Sequence, residues 1–346
     1  MDRREFLVAS GSAVLASVGL GSPPREAFAT PLPAAPSRAL TLTVGDADSV
    51  SWALGQAREL ARRIELASNG RYAVAVADAV KVKAIGLNFL RASQLVEVDH
   101  AFAFATGLPG TAALDAQAVD TWMHAAGGQA ALDELAADHG LKVLLAAHGG
   151  ETFLWSAQPL RTAADFAGKC VQAEGLACHV AAGLGAEPWR IARGTSAGLL
   201  ASGEVAALEA SVPDAIALGL MQQARFAATG ALAPRGHAGA LTIRLDLWNV
   251  LSPADRTIIT TAARENYRQS VRMNRLGEAL NRRALQRAYA IEVIPVPPGF
   301  AASIQTVARA VAAQAATNSP HAAKLNASYM GFLSSQQDLT AQGATV

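Results

Sequence analysis

Two cysteines in 346 residues exclude a disulfide scaffold and a four-cysteine zinc site. Charge is scarce as well. Charged residues make up 16% of the chain, against about 25% in an average domain. Lys and Arg number 29 and Asp and Glu 28, a net charge of +1, so the basic excess or stripe of a nucleic-acid binder is missing. Aromatics reach only 5%. No run is apolar enough for the roughly 20 residues of a membrane-spanning helix. There is no His-Glu-x-x-His, phosphate loop, dinucleotide fingerprint, internal repeat or low-complexity linker. What is present is apolar bulk, 51% of residues and much of it alanine. That supports finely packed, helix-rich cores, in one large domain or two ordinary ones.

The first 29 residues form an address. Arg3-Arg4-Glu5-Phe6-Leu7 precedes an uncharged, weakly hydrophobic run over 8–24, and Ala27-Phe28-Ala29 supplies the small-x-small pattern of signal peptidase. The pattern resembles a twin-arginine export signal, with a mature chain from Thr30 in a bacterial periplasm. Removal takes Arg3, Arg4 and Arg25 together with Asp2, Glu5 and Glu26, so the charge stays +1.

Beyond it, short strands and helices alternate, which defines an α/β class. Strands are expected at 40–44, 72–76, 96–98, 142–146, 169–173, 189–192, 205–209 and 291–294, and helices at 52–66, 115–126, 129–139, 176–184 and 196–201. Ser252-Pro253-Ala254-Asp255 combines an N-cap serine, proline at the first helical position and an acid three residues after the cap. The helix it opens runs to about residue 288, roughly 50 Å, too long for one small domain. Its polar face carries Arg264, Arg268, Arg272, Arg275, Arg282, Arg283 and Arg287, a solvated face or, second, a surface for homodimerisation through 252–288. Helices follow at 301–316 and from Pro320.

Two local patterns suggest chemistry. Gly194-Thr195-Ser196-Ala197-Gly198 matches the nucleophile elbow of serine hydrolases. Ser196 would be the nucleophile, His237 or His321 the base and Asp214 or Asp246 its orienting acid, with His148-Gly149-Gly150 as an oxyanion loop. A glycine- and serine-capped helix explains the same residues. Cys170 and Cys178 either pair in an oxidising compartment or remain two thiols.

A longer series of matches covers most of the mature chain. It comprises Pro159-Leu160-Arg161-Thr162-Ala163-Ala164-Asp165-Phe166-Ala167-Gly168-Lys169, Gly175, Leu184-Gly185-Ala186-Glu187-Pro188 and Leu199-Leu200-Ala201-Ser202-Gly203-Glu204-Val205. Leu247-Trp248-Asn249-Val250-Leu251-Ser252-Pro253 and Asn326-Ala327-Ser328-Tyr329-Met330-Gly331-Phe332 continue it, and Trp122 followed by Gly127-Gly128 precedes it. In order and spacing these segments resemble the solute receptors of TRAP transporters, nearest the branch that binds α-keto acids. The resemblance implies a non-enzymatic, two-lobed periplasmic binding protein that closes on a small ligand and delivers it to membrane components of a TRAP transporter. It implies lobes discontinuous in sequence: 30–155 mainly the first, 156–245 mainly the second, and 246–346 a long helix and C-terminal segments bracing both.

It also implies a ligand site composed of His100, Phe104, Glu151, Trp155, Gln172 and Glu209, and this chain departs from the family there. Gln172 stands where the family grips a carboxylate with arginine, and lacks the charged fork that does so. Glu151 replaces a glutamine, Glu209-Ala210 keeps the acid of a Glu-Trp pair, and Phe104-Ala105 replaces paired tyrosines after His100. Lys169 and Arg193 are the nearest substitute cations, and Trp155, Trp122 and His237 either line the cleft or fill a core. The expected cleft leans acidic. It suits a neutral or cationic ligand, or a carboxylate bridged by sodium or calcium held by Glu151 and Glu209. A degenerate receptor acting as an interaction protein is the remaining alternative.

Overall fold

The computed structural model describes residues 38–44, 52–78, 86–106, 108, 114–189, 195–229, 232 and 238–343. The signal segment, Arg193 and His237 lie outside them. The first part of the chain gives β1 (Arg38–Val44), α1 (Trp52–Ala67), β2 (Tyr72–Asp78), β3 (Leu87–Arg91), α2 (Ala116–Ala125), α3 (Gly128–Asp138) and β4 (Leu141–His148). Next come β5 (Thr152–Ser156), β6 (Cys170–Gln172), α4 (Leu176–Gly183), β7 (Glu187–Pro188), α5 (Ser196–Ser202), β8 (Ala207–Ser211), α6 (Val212–Ala217) and β9 (Phe226–Thr229). The last part is β10 (Ala238–Arg244), α7 (Leu245–Val250), α8 (Pro253–Ala288), β11 (Glu292–Pro295), α9 (Pro298–Ala315) and α10 (Pro320–Gly343).

The strands form two sheets, ordered β2-β1-β3-β10-β4 and β11-β9-β5-β8-β6-β7. Each is parallel apart from one strand. β10 runs antiparallel between β3 and β4, and β5 antiparallel between β8 and β9. Those two strands enter their sheets after the chain has crossed from the other lobe. The first crossing is Gly149-Gly150-Glu151, so β5 belongs to the second lobe and the expected boundary at 155 falls inside a strand. Likewise β10 returns to the first lobe before residue 245, and α8 carries the chain across again to β11. Gly150 has φ +82°, and a Cβ there would stand 3.2 Å from the Asn274 side chain, so the crossing needs glycine.

Both sheets are covered by helices on apolar spacing. In α1 the buried positions are Ala53, Ala57, Leu60, Ala61 and Ile64, a stripe one helical turn apart that lies on the first sheet. The Trp-then-Gly-Gly motif has a packing cause. A Cβ on Gly128 would stand 2.7 Å from the Trp122 ring, which is fully buried and edge-on to Tyr329.

α8 opens as its sequence implies, with Ser252 Oγ accepting from the Asp255 N–H at 3.2 Å and proline next to the cap. Its 36 residues extend about 54 Å. Ile259, Ala262 and Ala263 pack into the first lobe, and Leu285 into the second. Between them, Asn266, Ser270 and Asn274 stand one turn apart along the edge strand β4. Asn266 donates to Ala146 O (2.8 Å), Ser270 Oγ accepts from His148 N–H (2.7 Å), and Asn274 donates to His148 O (2.6 Å). The helix thus satisfies backbone groups that an edge strand leaves open.

Two local expectations need correction. Residues 96–98 are not a strand. Ala92–Glu97 is a 3-10 helix whose buried residues, Ala92, Leu95 and Val96, have helical rather than alternating spacing. Beside β6 only Glu187–Pro188 is strand, and 190–192 lie outside the described residues. No helix among the described residues is long and apolar enough to cross a membrane.

Candidate functional site

The two lobes meet where β3 ends. Arg91, the last residue of β3, reaches into the second lobe and places Nη2 3.2 and 3.3 Å from the two oxygens of Asp214 on α6. Both side chains are almost fully buried, 3% and 4% exposed. Ser211, the N-cap of α6, accepts from the Asp214 N–H and donates its hydroxyl to Asp214 Oδ2 at 3.0 Å. Two residues further along the first lobe, Ser93 donates to Glu174 Oε2 at 2.9 Å. Gly175, at φ +58°, brings α4 so close that a Cβ there would lie 3.4 Å from the Ser93 side chain.

Glu209 lies behind this seam. The Glu174 N–H reaches its Oε2 at 3.4 Å. Burial first, and the nearby Glu174 carboxylate second, push the Glu209 pKa up to about 8, while that N–H and Arg91 pull it down. Glu209 is therefore mainly a neutral acid at pH 7. The Gln172 Oε1 is buried without a hydrogen-bond partner among the described residues. Gln172 registers with Leu208 rather than Glu209, so the two side chains leave opposite faces of the sheet.

The remaining expected site residues are dispersed. Glu151 sits on the first crossing in a two-pronged pair with Arg282 of α8, 2.7 Å from Nη2 to each carboxylate oxygen, so it braces the hinge instead of joining Glu209. Trp155 is fully buried, donates to Ala210 O at 2.9 Å and packs on Phe153 in the core. Phe104 is equally buried, against Tyr329. These two aromatics build cores because β5 and the helical turn after His100 are enclosed on all sides. His100 stands at the lobe boundary, its ring tilted against that of His179 with centroids 4.6 Å apart. Lys169 is exposed at the start of the second-lobe turn. Among the described residues no group of three or more His, Cys, Asp or Glu is arranged to hold a metal ion.

The hydrolase reading fails on geometry. Ser196 is completely buried and its Oγ has no hydrogen-bond partner among the described residues. Asp214 is committed to Arg91, Asp246 to Arg244 on the surface, and His321 to Asp138 at 2.7 Å. His148 is held by α8 at the hinge, which leaves no oxyanion loop. Ser196→Ala should be neutral to about 1 kcal/mol stabilising, since it removes an unsatisfied buried hydroxyl. A urea denaturation series checks this, and labelling of the wild type by a fluorophosphonate would contradict it. Cys170 and Cys178 are not joined in a disulfide. Cys170 packs on the Leu208 face of the sheet, and Cys178 on the opposite face, where its thiol donates to Ala173 O.

Sequence reasoning missed Arg91, Ser93 and Glu174. The one available signal was an arginine closing the apolar strand Leu87-Asn88-Phe89-Leu90, and its partner lies 123 residues away.

Two α/β lobes with one antiparallel strand exchanged into each sheet, joined by crossing segments and braced by one long helix, are the architecture of two-lobed solute-binding proteins. Residues 53–318 match the model of the bacterial extracellular solute-binding protein family 7 (DctP), and the chain belongs to that family. Its fold is shared with a TRAP transporter solute-binding protein from Bordetella bronchiseptica RB50, described as a mixed-occupancy dimer with calcium and picolinate in one site (TM-score 0.76, 18% identity, 90% of this chain and 96% of that one). It is shared also with TRAP periplasmic solute-binding proteins from Pseudoalteromonas atlantica T6c, with sodium and pyruvate (0.74, 19%, 89% and 97%), and Colwellia psychrerythraea, with calcium and pyruvate (0.74, 18%, 89% and 97%). No curated protein matches the sequence significantly.

Proposed function

We propose that this chain is the periplasmic receptor of a TRAP-type transporter, exported through the twin-arginine pathway and cleaved near Ala29, and that it captures a small solute between its lobes without catalysis. The observation that carries the reading is the seam itself. Arg91, Ser93, Glu174, Glu209 and Asp214 are polar groups drawn from both lobes and enclosed where the sheets meet, which is where hinge closure would trap a ligand. Family membership and the bound solutes of the similar structures support it.

The chemistry of the seam defines the solute class. Among the described residues its one buried guanidinium is occupied by Asp214, and Gln172, which closes β6 on the opposite face from Glu209, carries an amide where the resemblance expects a cation. A bare carboxylate would meet the Glu174 carboxylate without compensating charge, which disfavours it. The seam suits a neutral or cationic solute, or a carboxylate that arrives with sodium or calcium. In that last case Glu209 and Glu174 supply hard oxygen donors, Glu174 taking the part expected of Glu151, and the ion contributes the missing positive charge.

A thermal-shift screen of keto acids, sugars, amines and diols, with and without calcium, tests the function: at least one compound should raise the melting temperature. Gln172→Arg should strengthen the binding of a simple keto acid about 10–100-fold, the worth of one charged hydrogen bond. Calorimetry showing no gain would remove Gln172 from the site.

The long helix also fits a homodimer interface. Met273, Leu276 and Leu280 are 47%, 70% and 56% exposed and follow one another at three- and four-residue spacing, an apolar stripe on an otherwise charged face. Sedimentation should give a dimer that Leu276→Glu with Leu280→Glu converts to a monomer. A wild-type monomer would contradict this.

A further inference from the structure

The histidine pair at the lobe boundary has a chemistry of its own. His100 is on the short 3-10 turn His100–Phe102 of the first lobe, and His179 on α4 of the second. Their rings lie 4.6 Å apart, centroid to centroid, and are tilted by 56°. His100 is half-buried and His179 exposed, so solvent reaches the pair. Other histidines face acids: His124 lies near Asp120, His139 near Asp99 and His321 near Asp138. His100 and His179 make no ion pair or hydrogen bond with protein among the described residues, and their one ring contact is with each other.

We propose that His100 and His179 form a two-histidine site for a borderline divalent cation such as zinc or nickel, and that the ion clasps the two lobes together. Imidazole nitrogen is the preferred donor for these ions, and two such nitrogens on one tetrahedral zinc stand about 3.3 Å apart. With ring centroids 4.6 Å apart, the two imidazoles are close enough to face one ion from opposite lobes. No third protein donor completes the set among the described residues. The other coordination positions would go to water or to a chelating solute. Sodium or calcium beside Glu209 would be a separate matter, because those ions take oxygen.

An ion bound by one residue from each lobe binds the closed form only, so it shifts the opening equilibrium by its whole affinity. The inference does not depend on which solute the seam holds. It is tested by calorimetric titration of zinc and of nickel into the wild type, His100→Ala, His179→Ala and the control His321→Ala, with melting curves to verify folding. One ion per chain in the micromolar range is expected, weakened at least tenfold in each of the first two variants and unchanged in the control. Absence of zinc and nickel binding up to millimolar concentration would overturn it. So would equal binding by wild type, His100→Ala and His179→Ala, which would put the ion elsewhere.

Discussion

Arg91→Ala should destabilise the protein by about 3–5 kcal/mol, the usual cost of removing one partner from a desolvated ion pair. Burial sets this cost. Arg91 and Asp214 are 3% and 4% exposed, so the variant leaves the Asp214 carboxylate enclosed without its guanidinium. Ser211 still donates a hydroxyl to it, but a neutral donor does not replace a cation. Because the pair joins β3 to α6, the variant also removes a tie between the lobes. Urea denaturation should show the lost stability, and small-angle scattering a larger radius of gyration. The double replacement Arg91→Met with Asp214→Leu should recover most of the loss, since a buried pair is often no better than apolar side chains of similar size. A single variant that loses less than about 1 kcal/mol would mean that water already reaches the pair.

The second large effect is a pH dependence set by Glu209. Its pKa rises from the usual 4.5 to about 8 in the folded protein. Between those values the folded state therefore holds a proton that the unfolded state has released. Stability then falls as pH increases, by about 1.4 kcal/mol per unit within that window. The contribution is favourable at pH 4.5 and is lost by pH 8, on the order of 4 kcal/mol in all. Glu209→Gln imitates the protonated side chain and should remove the slope. The variant should match the wild type near pH 4.5 and exceed it near pH 8.5. Denaturation curves at four or five pH values measure this. Parallel wild-type and variant profiles would show that Glu209 ionises freely.

How much of this was readable in the sequence depends on where each element lies. α1, α2, α3 and α8 were readable because each has one wet face, and periodicity records the contrast between faces. The strands β3, β5, β9 and β10 were not identified. Thr152-Phe153-Leu154-Trp155-Ser156 is buried at every position, so it shows no alternation. β5 and β10 are the two strands exchanged between lobes, which is why the expected boundaries fell at their far ends. The site divided in a similar way. Gln172 and Glu209 were legible as candidates because they sit in recognisable turns and strands. Arg91, Ser93 and Glu174 were missed because their significance lies in partners from the other lobe, far away in the chain. Glu151 was assigned to the site by its neighbours in sequence, but Arg282, 131 residues on, holds it at the hinge.

The central claim is that the seam between the sheets is the solute cleft. Hydrogen exchange of the wild type, with and without the compound that most raises its melting temperature, tests this directly. The account predicts added protection in three peptides, covering residues 87–106, 170–183 and 207–217, and little change in α1 or α10. Protection confined to other parts of the chain, or a stabilising compound that leaves these three segments exchanging as before, would contradict it.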